Sequence, residues 1–178
     1  MTSRLRAACV GLLVALLGAA SGAVRAAEPS AAAFPATVTV GQDQLALNGK
    51  GTRVRVIVSL YEAGLYTKRP VRSADELAKL DGAKRLHGVA LRDLDADTMG
   101  RLFVKGISEN NPREDVARML PAISQISGLF TQRRKLKSGD TFGFDYIPGQ
   151  GTKMSINGVM QGDWVKDPAF FPAVMRMW

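Results

Sequence analysis

The sequence has very few residues that crosslink a chain or bind transition metals. It contains one cysteine and one histidine among 178 residues. An intramolecular disulfide is therefore impossible, and a zinc site built from several Cys or His ligands is not expected. Aromatic residues contribute only 7%, yet the hydrophobic fraction of 46% is too high for a disordered chain. We predict one folded domain that needs neither a metal nor a cofactor, and we expect a monomer.

Acidic residues are scarce relative to basic ones, since 16 Asp and Glu stand against 24 Lys and Arg. The resulting net charge of +8 would by itself favour a nucleic acid or an acidic membrane surface as a partner. Three of the basic residues, however, lie close to the N-terminus among apolar and small residues. They are Arg4, Arg6 and Arg25.

The N-terminal segment has the order of a secretory signal peptide. Arg4 and Arg6 precede the uncharged run 7–20. The small residues Val24 and Ala26 occupy the −3 and −1 positions that a signal peptidase recognises before its cleavage site. The run is shorter than the ~20 residues that a membrane-spanning helix needs. We predict a signal peptide over 1–26, cleavage near Ala26, and a periplasmic or secreted protein whose charge falls from +8 to +5 when three arginines leave. Export makes a nucleic-acid partner unexpected.

The rest of the chain divides into a leader and a domain. The segment 27–37 is rich in Ala, Pro and Ser, so we predict a flexible leader there and a single domain over 38–178. Hydrophobic periodicity and capping residues predict the elements of that domain. The predicted strands are 38–40, 45–47, 53–66, 84–91, 141–147, 152–156 and 159–161, and the predicted helices are 73–80, 96–109, one that begins at Asn111 and Pro112, and one that begins at Asp167 and Pro168. Turns are predicted at 48–51 and 157–158, and Pro121 is predicted to kink or divide its helix.

The stretch 53–66 is the most informative part of the chain, because apolar residues alternate along it. On one strand, alternation separates the side chains into two faces. The predicted core face holds Val54, Val56, Val58 and Leu60, and the opposite face holds Arg53, Arg55, Ile57, Ser59 and Tyr61. The second face mixes basic, hydroxyl and apolar side chains, as the wall of a cavity for an amphipathic ligand does. A solvated outer face is the alternative.

A basic run follows the third predicted helix. It suits a solvated helix end that complements the helix dipole, and contact with anionic lipid is the alternative. Its members are Arg133, Arg134, Lys135 and Lys137.

Two other features resemble catalytic or metal sites only superficially. Asp93, Asp95 and Asp97 alternate as in a metal-binding loop, but they lack the glycine and the distant glutamate of a calcium site. We interpret them as helix-capping residues, and no metal site is expected. His87 lies in a predicted strand without a catalytic partner in sequence, which favours a structural role.

Three short motifs lie in and around these strands. They are Leu47-Asn48-Gly49-Lys50-Gly51-Thr52-Arg53, Tyr61-Glu62-Ala63-Gly64-Leu65-Tyr66 and Ser155-Ile156-Asn157-Gly158. Together they resemble the chalcone isomerase-like superfamily, in particular its bacterial exported branch, over about 38–178. The resemblance implies an α+β open-faced sandwich, in which helices cover a large antiparallel sheet and a ligand cleft lies between the two layers.

The resemblance also implies a role for Arg53. The family includes enzymes that close a chalcone into a flavanone, in which the motif arginine lines the cleft. It also includes plastid fatty-acid-binding proteins, in which this arginine is associated with the ligand's carboxylate. By motif position the arginine is Arg53 here, and Arg55, Ser59 and Tyr61 lie on the same predicted strand face. A guanidinium buried there would need an anionic partner and could hold it by two hydrogen bonds.

The resemblance leaves three functions open. We expect a periplasmic protein that binds a small amphipathic anion, such as a fatty acid, through Arg53, Arg55, Ser59 and Tyr61. The alternative is a chalcone isomerase-type intramolecular lyase with Arg53 and Tyr61 as candidate catalytic residues. The enzymes carry a tyrosine near the helix start, and the stretch 97–100 has none, which disfavours efficient cyclisation. A protein-interaction module of the cell envelope is the third function. Family members are expected to continue beyond the position of Trp178, so the last helix is expected to extend further.

Overall fold

The largest element of the fold is an antiparallel sheet. The computed structural model describes residues 33–178, so the predicted signal peptide and part of the predicted leader lie outside the described residues. Its seven strands are β1 (Thr37–Val40), β2 (Asp43–Arg55), β3 (Val58–Thr67), β4 (Lys84–Ala90), β7 (Thr141–Ile147), β8 (Gly151–Ile156) and β9 (Val159–Val165). They lie side by side in this order, and each neighbouring pair is antiparallel. Two short strands, β5 (Leu94–Asp95) and β6 (Lys135–Leu136), form a separate pair.

Helices cover one face of the sheet. They are α1 (Ala74–Lys79), α2 (Ala96–Asn110), α3 (Arg113–Thr131) and α4 (Phe170–Met175). The apolar stripes of α2 and α3 pack with alternate residues of the central strands in one core. The sheet contributes Leu86, Phe144 and Met154 to the centre of that core, each at most 2% exposed. The predicted α+β architecture, with helices on a large antiparallel sheet, is confirmed. None of the helices within residues 33–178 is both long enough and apolar enough to cross a membrane.

The face of the sheet away from the helices is also partly covered. Phe34, which belongs to the predicted leader, lies over Gly64 and meets the ring of His87 edge to face at 5.6 Å. Burial and the neighbouring Arg85 lower the pKa of His87, so its imidazole is favoured in the neutral form. Arg85 also forms a two-pronged ion pair with Asp145, with both N–O distances at 2.6 Å. A small apolar cluster adjoins this area and contains Val40, Leu45, Tyr66 and Ala83.

The prediction of one strand over 53–66 is wrong, because the chain reverses direction at Val56 and Ile57. Val56 has a φ of 59°, a conformation that a β-branched residue rarely adopts. Both turn residues, Val56 and Ile57, are apolar and favour strands, so neither polarity nor turn propensity indicates this hairpin in the sequence. Val56 and Ile57 are 92% and 89% exposed, and Val54 is 52% exposed, so the predicted core face is not a core face at this end.

The predicted turn at 48–51 is also wrong, because β2 is continuous through this segment. Asn48 is accommodated in a bulge between Leu47 and Gly49. Its side-chain amide donates a hydrogen bond to the Val71 carbonyl at 3.1 Å and accepts one from the Val71 N–H at 2.8 Å. These two bonds hold Asn48 in an extended strand, and they come from a segment far along the chain that local turn preferences cannot reveal.

Two differences from the predicted helices concern α3. α3 is continuous through Pro121, so of the two predicted effects of this proline a division of the helix is wrong, and a kink stays a prediction. Asn111 does not cap the start of α3, which begins after Pro112 without a side-chain cap. Its amide instead donates hydrogen bonds to the carbonyls of Ile107 in α2 and Ala173 in α4. Asn111 therefore ties two helices together.

Asp93 and Asp95, two of the three alternating aspartates, have different roles. Asp95 caps α2 as predicted, accepting a hydrogen bond from the Thr98 N–H at 2.7 Å. Asp93 instead accepts hydrogen bonds from Lys135 Nζ at 2.6 Å and from the Ser138 N–H at 3.0 Å. Asp93 thus holds the chain around β6 rather than a helix end. In residues 33–178 no group of Asp, Glu, His or Cys is arranged to hold a metal ion.

Candidate functional site

A pocket of about 280 Å³ lies between the sheet and α2. It occupies the position expected for a cleft between the two layers. Aliphatic and aromatic side chains form most of its lining. The lining residues are Arg53, Val54, Arg55, Leu60, Tyr61, Met99, Leu102, Phe103, Lys105, Gly106, Phe130, Phe142, Phe144, Met177 and Trp178. An apolar pocket with a few polar groups is the usual form of a small-molecule site.

Tyr61 provides a buried hydroxyl in the pocket. Its side chain is 8% exposed, and its ring packs edge to face on Phe142 at 5.1 Å and on Trp178 at 6.3 Å. Burial raises the pKa of Tyr61 to about 12, although the positive charge of Arg53 opposes part of this rise. The phenol therefore stays protonated at neutral pH, where it can donate a hydrogen bond to an anionic ligand.

The charged residues of the lining are all basic. Arg53, Arg55 and Lys105 are exposed, and no Asp or Glu is among the described residues that line the pocket. Lys105 Nζ lies 3.6 Å from Glu109 Oε1 in an exposed ion pair. Arg55 forms an ion pair with no carboxylate of residues 33–178. The expectation that Arg53 is buried is wrong, because its side chain is exposed near the end of β2, at the rim of the pocket. These cations form a positive rim that attracts anions.

The last two residues close one side of the pocket. Arg53 Nη1 donates a hydrogen bond to the Met177 carbonyl at 3.2 Å, and Trp178 packs on Tyr61. Gly106 of α2 leaves room for this segment, since a Cβ there would come within 2.9 Å of Met177 Sδ. Trp178 is 44% exposed, so this side of the pocket is only partly buried.

The structure brings three of the four predicted site residues together. Arg53 pairs with Tyr61 across the hairpin, and Arg55 lies at the same rim. Ser59 is exposed and does not belong to the lining. The reason is the register shift between Arg53 and Val54, which breaks the alternation that placed Ser59 beside Tyr61. Whether these residues bind a ligand stays a prediction.

The α2 side of the pocket is absent from the sequence-based site. The apolar stripe of this helix is typical of core packing, and Phe103 does pack in the core, with its ring stacked 5.9 Å from Phe144. The same stripe also lines the pocket through Met99, Leu102 and Phe103. One signal was available, since Gly106 follows the stripe at a helix position where a side chain would normally be preferred.

The basic run after α3 lies outside the pocket lining. Lys135 is paired with Asp93 at 2.6 Å, and Leu136 between the basic residues is 1% exposed. Arg133 and Arg134 are exposed. Contact of this run with anionic lipid stays a prediction.

A second cavity of about 250 Å³ lies near α1 and the start of β4. Its one buried charged side chain is Lys84, which is 4% exposed and has its pKa lowered by burial. The Lys84 ammonium donates a hydrogen bond to the Leu80 carbonyl at 2.6 Å and lies 4.6 Å from the centre of the Tyr146 ring. Lys84 therefore satisfies the carbonyl at the end of α1, which is a structural role.

An antiparallel sheet covered by helices on one face, with an apolar pocket between the layers and a basic rim, defines an open-faced α+β protein with a small-molecule pocket. The family model of chalcone isomerase-like proteins matches residues 26–178. The chain therefore belongs to the chalcone isomerase-like family, as its motifs predicted.

Among solved structures the chain is similar to the crystal structure of an Arabidopsis thaliana fatty-acid binding protein. The TM-score is 0.63 at 16% sequence identity, over 82% of this chain and 83% of that chain. No curated protein matches the chain in sequence. The fold class is confirmed. Since the family is named for an isomerase and the matching structure is a fatty-acid binding protein, the fold is compatible with either activity.

Proposed function

We propose that the protein binds a fatty acid, or a similar amphipathic carboxylate, in the pocket beneath α2. The observation that carries this proposal is the polarity of the pocket lining. It is apolar inside and bears Arg53, Arg55 and Lys105 at the rim, and no acidic residue of 33–178 belongs to it. An amphipathic anion matches both parts at once. The likeness to a fatty-acid binding protein supports the proposal at the level of the fold.

In this arrangement the hydrocarbon chain lies among the apolar residues and the carboxylate lies at the rim. Arg53 exchanges its hydrogen bond to the Met177 carbonyl for a shorter, charge-assisted pair with the carboxylate. The neutral Tyr61 hydroxyl is a second donor. Each methylene buried contributes ~0.8 kcal/mol, so the chain supplies most of the affinity and the rim sets the orientation.

Titration calorimetry with a saturated fatty acid tests the proposal, and native mass spectrometry of freshly purified protein shows whether a ligand comes with it. Arg53→Ala should weaken binding about ten- to a hundredfold, because a hydrogen bond to a charged group is worth ~1.5–3 kcal/mol. Arg134→Ala removes an exposed arginine outside the lining and should leave affinity unchanged. Equal affinity of all three proteins, or no uptake by any of them, would contradict the proposal.

We further propose that this binding takes place in the periplasm or outside the cell, by a monomer from which residues 1–26 have been removed. The order of charged, apolar and small residues before Ala26 supports this location. Cell fractionation with mass spectrometry of the mature N-terminus is the test. A protein that keeps its first residues and stays with the cytoplasm would refute export.

Isomerase activity is the second candidate, because Arg53 and the neutral Tyr61 lie opposite each other at the pocket. Together they could stabilise the negative charge of a phenolate or enolate. Loss of chalcone absorbance faster than in buffer, slowed by Tyr61→Phe and by Arg53→Ala, would support an enzyme. A rate equal to the spontaneous one would exclude catalysis for that substrate.

A further inference from the structure

The tip of the β2–β3 hairpin is apolar, fully exposed and strained. Val56 and Ile57 are 92% and 89% exposed. Val56 also has a φ of 59° at the first position of a two-residue turn, where hairpins favour glycine. Exposure and strain therefore coincide in one residue that makes no compensating contact in the core. Local strain of this kind is a reason to look for function.

The tip adjoins the pocket directly. Val54, 52% exposed, and Arg55 both line the pocket and precede Val56 in the chain. Arg53 and Arg55 place positive charge behind the apolar tip, and Arg55 pairs with no carboxylate of the described residues. A bilayer with acidic lipids has an apolar interior and an anionic surface. The apolar hairpin tip, with arginines behind it, is complementary to both layers.

We propose that the protein docks on anionic lipid bilayers through this hairpin, with Val56 and Ile57 inserted among the lipids and Arg53 and Arg55 at the headgroups. Docked in this way, the rim of the pocket faces the membrane surface, so an amphipathic ligand can pass between bilayer and pocket. Only this transfer rests on the proposed function. Docking itself is measured without any fatty acid.

Co-sedimentation with phosphatidylcholine vesicles, with and without phosphatidylglycerol, tests the docking. The double variant Val56→Asn with Ile57→Asn is suitable, because asparagine is polar and tolerates a positive φ. It should bind acidic vesicles at least about tenfold more weakly, since burying one such side chain changes an equilibrium by that factor. Arg55→Gln should weaken binding about fivefold. The Arg55 effect should disappear without the acidic lipid, where the wild type should bind weakly.

Two matched controls separate this hairpin from other surfaces. Val159→Asn with Met160→Asn changes another exposed apolar pair, 61% and 42% exposed, beside the β8–β9 turn. Arg133→Gln with Arg134→Gln changes the basic run after α3. Both controls should bind vesicles like the wild type. The inference is overturned if the wild type does not bind acidic vesicles or if either control loses as much binding as the tip variant. It is also overturned if the tip variant lowers the mass of the protein in light scattering, because the tip would then be a self-association surface.

Discussion

The affinity for saturated fatty acids should rise with chain length and then level off when the pocket is full. A cavity of about 150 Å³ holds one benzene ring. The pocket here, at about 280 Å³, is nearly twice that volume. It should therefore hold roughly a dozen carbon atoms. Below that length each added methylene should tighten binding by ~0.8 kcal/mol, or about fourfold in Kd. Beyond that length the end of the acyl chain must lie outside the pocket, and the gain in affinity per added methylene should fall sharply.

Leu102→Ala tests whether this plateau reflects the pocket. Leu102 is half-buried and lines the pocket, and the substitution removes an isopropyl group from the wall. The plateau should move to chains about three carbons longer, at a stability cost below the ~2–5 kcal/mol of a fully buried leucine. Leu120→Ala is the control, since Leu120 is 53% exposed and lies outside the lining.

Titration calorimetry over a series from octanoate to octadecanoate gives the length dependence for all three proteins. The reasoning would be refuted if the wild-type affinity kept rising evenly through the longest acids. It would also be refuted if the curves of Leu102→Ala and Leu120→Ala coincided. A complete absence of binding at every length would instead reject the proposed function itself.

Three other predictions concern stability and are measured by urea unfolding. Asp145→Asn should lower the free energy of unfolding by about 3 kcal/mol, because it leaves the half-buried Arg85 without its carboxylate partner. Glu109→Gln, in the exposed pair with Lys105, should lower it by less than about 0.5 kcal/mol. Equal losses would refute a special role for the Arg85–Asp145 pair. Burial raises the pKa of Tyr61 to about 12, so the stabilisation by its neutral phenol is complete below pH 10 and should be lost as the pH rises to 12, by about 3 kcal/mol in total. Tyr61→Phe should flatten this alkaline loss, and an unchanged pH profile would contradict it. Val56→Gly should raise the free energy of unfolding by up to about 1 kcal/mol, because relief of the positive φ exceeds the entropy cost of glycine; a lower free energy of unfolding would show that Val56 is not strained.

Most of the sheet and helices were predictable, because each has a clean local period and recognisable ends. The strands β7, β8 and β9 follow alternation and the Asn157-Gly158 turn, and α2 follows its stripe and the Asp95 cap. The β2–β3 hairpin was not predictable. Its turn residues are Val56 and Ile57, which have high strand propensity, so local preference continues the strand where the fold reverses it.

The candidate site was predicted from the wrong local structure, and for an identifiable reason three residues still meet. Arg53 and Tyr61 were placed on one face of one strand, whereas they are partners across a hairpin, and such partners also share a face. The prediction failed for Ser59, where the register shift intervenes. The helical and C-terminal walls of the pocket arise from tertiary packing, so no local pattern could assign them to the site.

The misprediction of the hairpin is itself informative about function. Natural sequences usually agree with their fold at each local position, and disagreements concentrate where function imposes them. Glycine or asparagine at position 56 would relieve the backbone, and polar residues at 56 and 57 would remove exposed apolar surface, yet the chain keeps Val56 and Ile57. Both costs occur next to the rim that holds Arg53 and Arg55. A hairpin that only connected two strands would not need exposed apolar residues beside cations, whereas a hairpin that brings the pocket to a lipid surface needs both.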